Sequence, residues 1–168
     1  LRGGRLMRAL LALAAFALAA ACAPPAQALN CLPIVGCTCN VSASDITFDA
    51  FNPLISGAQT AIGVVSVTCS GVASLGGGVT VEISQGQWGA YAARKLRSPA
   101  GDTTDYNIYT SSAYSQVWGA GAQAVQITPG ITLLQTWTVQ RDMHARIIAN
   151  PGMKPGDYSD NLIVRIIW

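Results

Sequence analysis

Charged residues and histidine are scarce in this sequence of 168 residues. Only 11% of the residues are charged, and the single histidine is His144. A Ser/His/Asp or Cys/His catalytic arrangement would therefore have to use that one side chain. The eight acidic residues are scattered, and no glycine-rich phosphate loop follows a strand and opens a helix. We therefore expect no enzyme, no catalytic site and no cofactor, and we interpret His144 as a structural or exposed residue.

Basic clusters and metal-binding cysteine spacings are also lacking. The only basic cluster is Arg94-Lys95-Leu96-Arg97, which we assign to a solvated loop or strand edge. Nucleic-acid-binding domains present a concentrated basic patch, so we expect no nucleic-acid partner. The cysteines lack the paired C-x2-C spacing of structural zinc sites, and we expect no metal site.

The first 28 residues have the features of a secretory signal peptide. Three arginines precede an apolar run at residues 9–21, which is too short to span a membrane. Ala26-Gln27-Ala28 then supplies the small-x-small pattern of a cleavage site. We predict cleavage after Ala28, export to the periplasm and no membrane span in the mature protein. A lipobox-like stretch ending at Cys22 leaves lipidation of that residue as an alternative.

Cleavage after Ala28 leaves four cysteines, which are Cys31, Cys37, Cys39 and Cys69. An even number in an exported chain indicates two disulfides, which can pair in three ways. A Cys37–Cys39 bridge is disfavoured, because residues two apart on a strand lie about 6.5 Å apart with parallel side chains. We favour Cys39–Cys69, joining the first two strands, with Cys31–Cys37 closing a small loop in an N-terminal extension, residues 29–38.

Alternation of apolar and polar residues with a period of two dominates the mature chain, and no segment sustains a helical period. The run Gly76-Gly77-Gly78 predicts a turn between two such segments. Short strands separated by Gly, Pro, Ser and Asn are typical of a β-sandwich, so we predict one all-β domain, residues 39–168. The six candidate strands lie near residues 39–48, 65–70, 79–84, 106–109, 132–139 and 162–168.

The last candidate strand is unusually apolar and ends the sequence. Six strands are one short of a seven-stranded immunoglobulin-like sandwich, and nothing in the sequence follows to cover the neighbouring edge. An exposed apolar edge is a template for aggregation unless a partner strand fills it. We therefore predict an incomplete sandwich, completed by donor-strand complementation. Four side chains of one face should border the subunit or chaperone groove: Leu162, Val164, Ile166 and Trp168.

Several short motifs occur in an order that is typical of one protein family. Residues 39–48 fit the pattern C-x-V-S-A-x-x-x-x-F, and residues 65–69 fit a second strand that carries the paired cysteine. Further matches are Tyr106–Tyr109, Val117–Gly121, Thr138–Val139 and Pro155–Asp160 with the alternating aliphatic residues that follow. From residue 39 to the end, the chain resembles the spore coat protein U (SCPU) domain family of archaic chaperone–usher pilins.

This resemblance implies a secreted structural subunit of a bacterial surface fibre or coat, supporting adhesion and biofilm formation. The implied partners are a periplasmic chaperone, an outer-membrane usher and other pilin subunits that exchange donor strands. The protein would pass through the periplasm to the cell surface. Asp49 and Gln140 replace glycines of the family pattern, and a Cys31–Cys37 loop would prevent residues 29–38 from acting as an extended donor. These departures favour a terminal or non-fibrous coat role.

Four tryptophans raise a second hypothesis. We interpret them mainly as packing residues of the core and strand faces, but exposed aromatic loops at residues 85–91 and around Trp118 would make an adhesive patch. The alternative function is therefore a terminal adhesin that binds a surface or ligand, and the third is a secreted enzyme or inhibitor. The tryptophans are Trp88, Trp118, Trp137 and Trp168.

Asp160, beside a turn, is expected to cap the backbone.

Overall fold

A computed structural model of the chain describes residues 30–31, 38–54, 57–70, 72–75, 78–128, 131–132 and 135–167. Several features predicted from the sequence lie outside the described residues or side chains. They are the signal peptide with Cys22, the Cys31–Cys37 bridge, Gly76–Gly77 and Trp168. The described residues form strands and one short 3-10 helix, Gly121–Gln123, which confirms the predicted all-β class. The strands are β1 (Asn30–Cys31), β2 (Thr38–Ala43), β3 (Ala58–Ser70), β4 (Val72–Leu75), β5 (Val79–Ile83), β6 (Arg94–Arg97), β7 (Thr103–Tyr109), β8 (Val125–Ile127), β9 (Ile131–Thr132), β10 (Trp137–Ile148) and β11 (Val164–Ile167).

One layer of the sandwich is a five-stranded antiparallel sheet with the order β2-β3-β10-β7-β6. Its centre is the long pairing of β3 with β10, which runs from Cys69 opposite Trp137 to Ala58 opposite Ile148. Alternate side chains of these strands point inward and are buried, whereas the residues between them are polar or exposed. The buried apolar side chains are Val65, Val67, Cys69, Trp137, Met143, Ala145 and Ile147.

The second layer is a three-stranded antiparallel sheet with the order β11-β5-β8. Its apolar side chains complete a single buried core with those of the larger sheet: Val79, Val81, Ile83 and Ile127. A third, small sheet joins β1, β4 and β9. This two-layer arrangement is the sandwich that the period-two pattern predicted.

The fifth predicted strand, residues 132–139, was placed wrongly. The structure has two separate strands there, since β9 ends at Thr132 and β10 runs from Trp137 to Ile148. The second half of β10 alternates inward Met143, Ala145 and Ile147 with outward neighbours that are mostly polar. Because Ala145 is small and two apolar residues, Ile147 and Ile148, end the strand, the alternation of this half was too weak to mark a strand.

The basic cluster forms an edge strand, one of the two predicted places for it, but the expected solvation was wrong for Arg94. This residue opens β6, the edge strand beside β7, and its side chain is 0% exposed. The guanidinium donates hydrogen bonds to the carbonyl oxygens of Ser84 (2.9 Å) and Trp118 (2.8 Å) and to Asn107 Oδ1 (2.6 Å). Burial lowers the pKa of Arg94 from its ordinary value. Arg94 therefore ties the end of β5 to β7 from inside the sandwich.

The predicted disulfide between the first two long strands is confirmed. Cys39 of β2 lies directly opposite Cys69 of β3, and their sulfur atoms are 2.02 Å apart. Cys69 is fully buried in the core. The bridge therefore fixes β2, an edge strand, to the centre of the larger sheet.

Candidate functional site: an open cleft beside the last strand

The last strand has only one hydrogen-bonded neighbour within the described part of the chain. β11 pairs with β5, with Val164 opposite Ile83 and Ile167 opposite Thr80, and it forms the end of its sheet. A strand at a sheet edge presents a row of backbone N–H and C=O groups that pair with no neighbour. The outer edge of β11 therefore carries backbone groups that pair with no described strand, and β2 lies nearby, with Cα atoms within 8 Å.

The wall that faces β11 is the segment that follows β2. The pairing of β2 with β3 ends at Ser44, whose backbone N–H donates to Val64 O and whose Oγ accepts from Val64 N, both at 2.9 Å. From there the segment leaves the sheet. Among the described residues, 45–53 make no backbone hydrogen bond to another segment. Ile46, Phe48 and Phe51 pack against the core and are half-buried.

A glycine permits this wall to approach the sheet closely. A Cβ atom at Gly63 of β3 would come within 2.6 Å of Ile46 Cγ1 and 2.9 Å of Met143 Cε. Any larger residue would therefore push Ile46 away from the sheet. The wall depends on contacts that only a residue without a side chain allows.

Between the two walls lies a cleft of about 1070 Å³. Leu162 and Val164 border it on one side, and residues 43–53 border it on the other. Its floor consists of core side chains from both sheets: Ile83, Leu96, Tyr106, Met143 and Ile147. An apolar floor with an unpaired strand edge on one side has the chemistry needed to bind an extended chain.

One end of the cleft is closed by the segment between β10 and β11. Asp160 holds this end through three hydrogen bonds: it accepts from Tyr106 Oη at 2.8 Å, Gln87 N at 2.9 Å and Asn161 N at 2.9 Å. Asp160 thus caps backbone groups, as its turn position indicated, and also anchors a buried tyrosine. Burial, followed by the hydrogen bond to Asp160, raises the pKa of the Tyr106 phenol above its ordinary value.

Two further contacts attach the same segment to the larger sheet. Ser159 exchanges backbone hydrogen bonds with Arg97 of β6, at 2.9 and 3.0 Å. Lys154 forms an ion pair with Asp102 at 2.7 Å, and this contact raises the pKa of the lysine. The segment therefore forms a fixed end to the cleft rather than a loose connection.

β11 itself is held by a partly buried ion pair on the opposite side of the smaller sheet. Arg165 Nε lies 2.6 Å from Glu82 Oε2, while Gly121 N donates to Glu82 Oε1 at 2.9 Å. The Gly121 hydrogen bond, followed by Arg165, lowers the pKa of Glu82 below its ordinary value. The pair aligns β11 with β5 and leaves the cleft side of β11 apolar.

Of the four groove residues predicted from sequence, Leu162 and Val164 border the cleft. Ile166 is half-buried and packs against the core, and Trp168 lies outside the described residues. The sequence did not point to the floor residues Leu96 and Tyr106 or to the wall at 45–53. The spacing of Ile46, Phe48 and Phe51 was the one available signal for the wall.

The residues considered for chemistry or adhesion lie apart from the cleft lining. His144 lies on β10, and its ring meets Tyr114 edge-on with centroids 6.5 Å apart. Trp118 is 1% exposed and donates its indole N–H to Val81 O at 3.0 Å, so it packs in the core, as the main interpretation of the tryptophans held, and is excluded from the alternative adhesive patch. Trp88 is 43% exposed, and the Arg97 guanidinium lies 4.3 Å from its ring centroid.

Within the described ranges, no group of three or more His, Cys, Asp or Glu side chains is placed to hold a metal ion. No helix in the part of the chain that the structure describes is long and apolar enough to cross a membrane.

The sequence matches the model of the Spore Coat Protein U domain over residues 26–165. The match covers most of the chain, and the protein therefore belongs to this family. The resemblance seen in the motifs is thereby confirmed. None of the curated proteins compared with the chain matches it.

A solved structure shares the fold. It is described as the CsuC–CsuE chaperone–tip adhesion subunit pre-assembly complex from archaic chaperone–usher Csu pili of Acinetobacter baumannii. The chain is 19% identical to the matching chain, with a TM-score of 0.53 over 79% of its own length. The match covers 40% of that other chain. At this identity the likeness shows the fold.

Proposed function

We propose that the protein is a structural subunit of a bacterial surface fibre or coat that accepts a strand from a partner in its cleft. The cleft beside β11 is the observation that carries this proposal, because it combines an unpaired strand edge with an apolar floor. An added strand would pair with β11 and bury alternate side chains on that floor. Family membership supports a structural role, and the proposal assigns no catalytic step to the chain.

The proposed partners follow from the same geometry. A subunit with an open cleft needs a strand during export and another in the assembled fibre, since an exposed apolar edge promotes aggregation. We infer that a periplasmic chaperone supplies the first strand, that an outer-membrane usher receives the complex and that another subunit supplies the final strand. The shared fold with a chain from a chaperone–tip subunit complex supports this sequence of partners. A role in adhesion or biofilm formation is part of the proposal.

The test is a fusion that supplies the missing strand. We define the complemented protein as the full chain with a flexible linker and an alternating Val–Thr strand after Trp168. Export to the periplasm should give more soluble protein and a higher Tm for the complemented protein than for the unmodified chain. A second fusion, in which Asp replaces every Val of the added strand, is the matched control and should give no such gain.

A pair of substitutions on β11 separates the cleft from general stability. Val164 borders the cleft, whereas its neighbour Ile163 points away from it and is 70% exposed. Val164→Asp should abolish the gain from the added strand, because a carboxylate would be buried without a partner. Ile163→Asp should leave the gain intact. Equal effects of the two substitutions would contradict the proposal.

One observation favours a second candidate function, a terminal adhesin. Trp88 is exposed in the loop between β5 and β6, with Arg97 stacked on its ring. An exposed aromatic residue with a cation beside it is a common element of binding surfaces. Trp88→Ala should then reduce attachment of cells that display the protein, while the soluble yield stays unchanged.

A further inference from the structure

The rim of the cleft is acidic. Besides its apolar floor, the cleft is lined by four carboxylates and one lysine: Asp45, Asp49, Asp157, Asp160 and Lys154. The lysine is paired with Asp102, and Asp160 is bound to Tyr106. Among the described residues, none of the other three carboxylates has an ion-pair partner. Two of them lie on the wall that follows β2 and the third on the closed end, so negative charge flanks the apolar floor.

The sequence that precedes β2 has the wrong chemistry for this rim. Residues 29–37 contain no Lys or Arg, and Pro33 interrupts them. A proline within an added strand removes a backbone donor that the unpaired edge of β11 would otherwise bind. The same segment of a second copy of this chain would therefore satisfy neither the charges of the rim nor the backbone of the edge.

We propose that the cleft accepts a strand from a different polypeptide, one in which alternating apolar residues are flanked by Lys or Arg. This inference rests on the proposed function and specifies its partner. The apolar residues would occupy the floor beside Val164 and Leu162, and the flanking cations would face Asp45, Asp49 and Asp157. Opposite charges at the rim of an interface select the partner and set its register more than they add affinity.

Three versions of the complemented protein test this partner chemistry. All carry the full chain and the same linker; the added Val–Thr strand is flanked by Lys in the first and by Glu in the second, and the third carries residues 29–37 instead. The Lys-flanked version should melt about 3–8 °C above the Glu-flanked version at low salt, given a few exposed ion pairs. The difference should shrink in 0.5 M NaCl, because salt screens charges at the rim.

Substitutions in the chain identify the carboxylates responsible. The triple variant Asp45→Asn, Asp49→Asn, Asp157→Asn should abolish the difference in Tm between the Lys-flanked and Glu-flanked versions. Asp142→Asn is the matched control, because Asp142 is an exposed carboxylate of β10 outside the cleft lining, and it should preserve the difference. Persistence of the difference in the triple variant would overturn the assignment of the rim.

The remaining outcomes separate this inference from the proposed function. Equal stabilisation by the Lys-flanked and Glu-flanked strands would overturn the charge preference and leave strand acceptance standing. Stabilisation by residues 29–37 that equals that of the Lys-flanked strand would make a second copy of this chain the occupant and overturn the inference. Failure of every strand would overturn strand acceptance itself.

Discussion

Tyr106 and Arg94 show how single polar side chains organise the interior of this protein. Each lies in the core of the larger sheet and reaches groups far away in the sequence: Tyr106 binds Asp160, and Arg94 binds carbonyls at both Ser84 and Trp118. Buried polar groups are costly unless they are hydrogen-bonded. Because these two are satisfied, they specify where the segments around the cleft must lie.

Removal of the Tyr106 hydroxyl should loosen the closed end of the cleft. Tyr106→Phe leaves Asp160 without its buried donor, and we expect the complemented protein to lose about 1–3 kcal/mol of unfolding free energy. Denaturant unfolding measures this loss. Tyr109→Phe is the control, since Tyr109 lies on the same strand and its hydroxyl makes no hydrogen bond within the described residues. Equal losses in both variants would contradict the role of the Asp160 contact.

The same tyrosine predicts a dependence of stability on alkaline pH. Its pKa is raised in the folded state, so the folded protein keeps the proton where the unfolded chain releases it. This contribution to stability is fully present below the ordinary tyrosine pKa of about 10 and is lost as the pH rises above it. As the pH is raised from 8 to 11, the Tm should decrease less for Tyr106→Phe than for the unsubstituted complemented protein.

At the scale of elements, the cleft lies between β11 and the segment that follows β2, and each of these two edge strands is attached by a different interaction. The disulfide fixes β2 to β3, whereas the pair between Glu82 and Arg165 aligns β11 with β5. An edge strand has hydrogen-bonded support on one side alone, so an additional link has a larger effect there than in the centre of a sheet. The width of the cleft therefore depends on both links.

Loss of the disulfide should destabilise the domain substantially. The bridge closes a loop with a sequence separation of 30 residues, for which the chain-entropy model gives about 3–4 kcal/mol. The double substitution Cys39→Ala, Cys69→Ala should lower the unfolding free energy of the complemented protein by that order. Reduction with dithiothreitol should lower the unfolding free energy of the unsubstituted complemented protein by more than that of the double variant, in which the predicted Cys31–Cys37 bridge alone remains. Insensitivity of both proteins to the reductant would count against this prediction.

The pair on β11 predicts a dependence on acid pH. The pKa of Glu82 is lowered in the folded state, so the unfolded chain takes up a proton first as the pH falls. The contribution is therefore present above the ordinary carboxyl pKa of about 4.5 and is lost as the pH drops through the folded value. The Tm of Glu82→Gln should be lower than that of the unsubstituted protein at pH 7, and the two Tm values should be equal near pH 2. A constant difference across this range would exclude the ion pair as the cause.

For the whole molecule, the cleft is a gap in the core. Phe48, Phe51, Leu162 and Val164 pack against the core and are still partly exposed. Complete burial of a large apolar side chain contributes roughly 1.5–3 kcal/mol. The three or four apolar residues of an added strand would therefore supply a total comparable to the net stability of a small domain, about 5–15 kcal/mol.

This comparison predicts that residues 29–168 expressed alone in the periplasm are unstable or aggregate. Co-expression with the proposed chaperone, or fusion of the added strand, should restore soluble and cooperative folding. Soluble yield, size-exclusion chromatography and thermal melting measure the outcome. A monomer that melts cooperatively without any partner strand would show that the sandwich is complete by itself.

Local patterns in the sequence determined several features of this protein. The period-two alternation specified an all-β chain, and it placed Leu162, Val164 and Ile166 on the inward face of the last strand. The spacing and context of Cys39 and Cys69 predicted the disulfide. Each of these features depends on a repeat or a pairing that near neighbours reveal, because successive side chains of a strand point to opposite faces.

Tertiary structure alone decided which residues line the cleft and which charged residue is buried. The floor of the cleft brings together Ile83, Leu96 and Met143 from three strands of two sheets, and no local pattern relates them. Arg94 belongs to a cluster that a local interpretation assigns to solvent, yet it is buried because carbonyls of distant segments satisfy its guanidinium. Burial of a charged group is determined by the partners that the fold supplies, and those partners come from positions far apart in the chain.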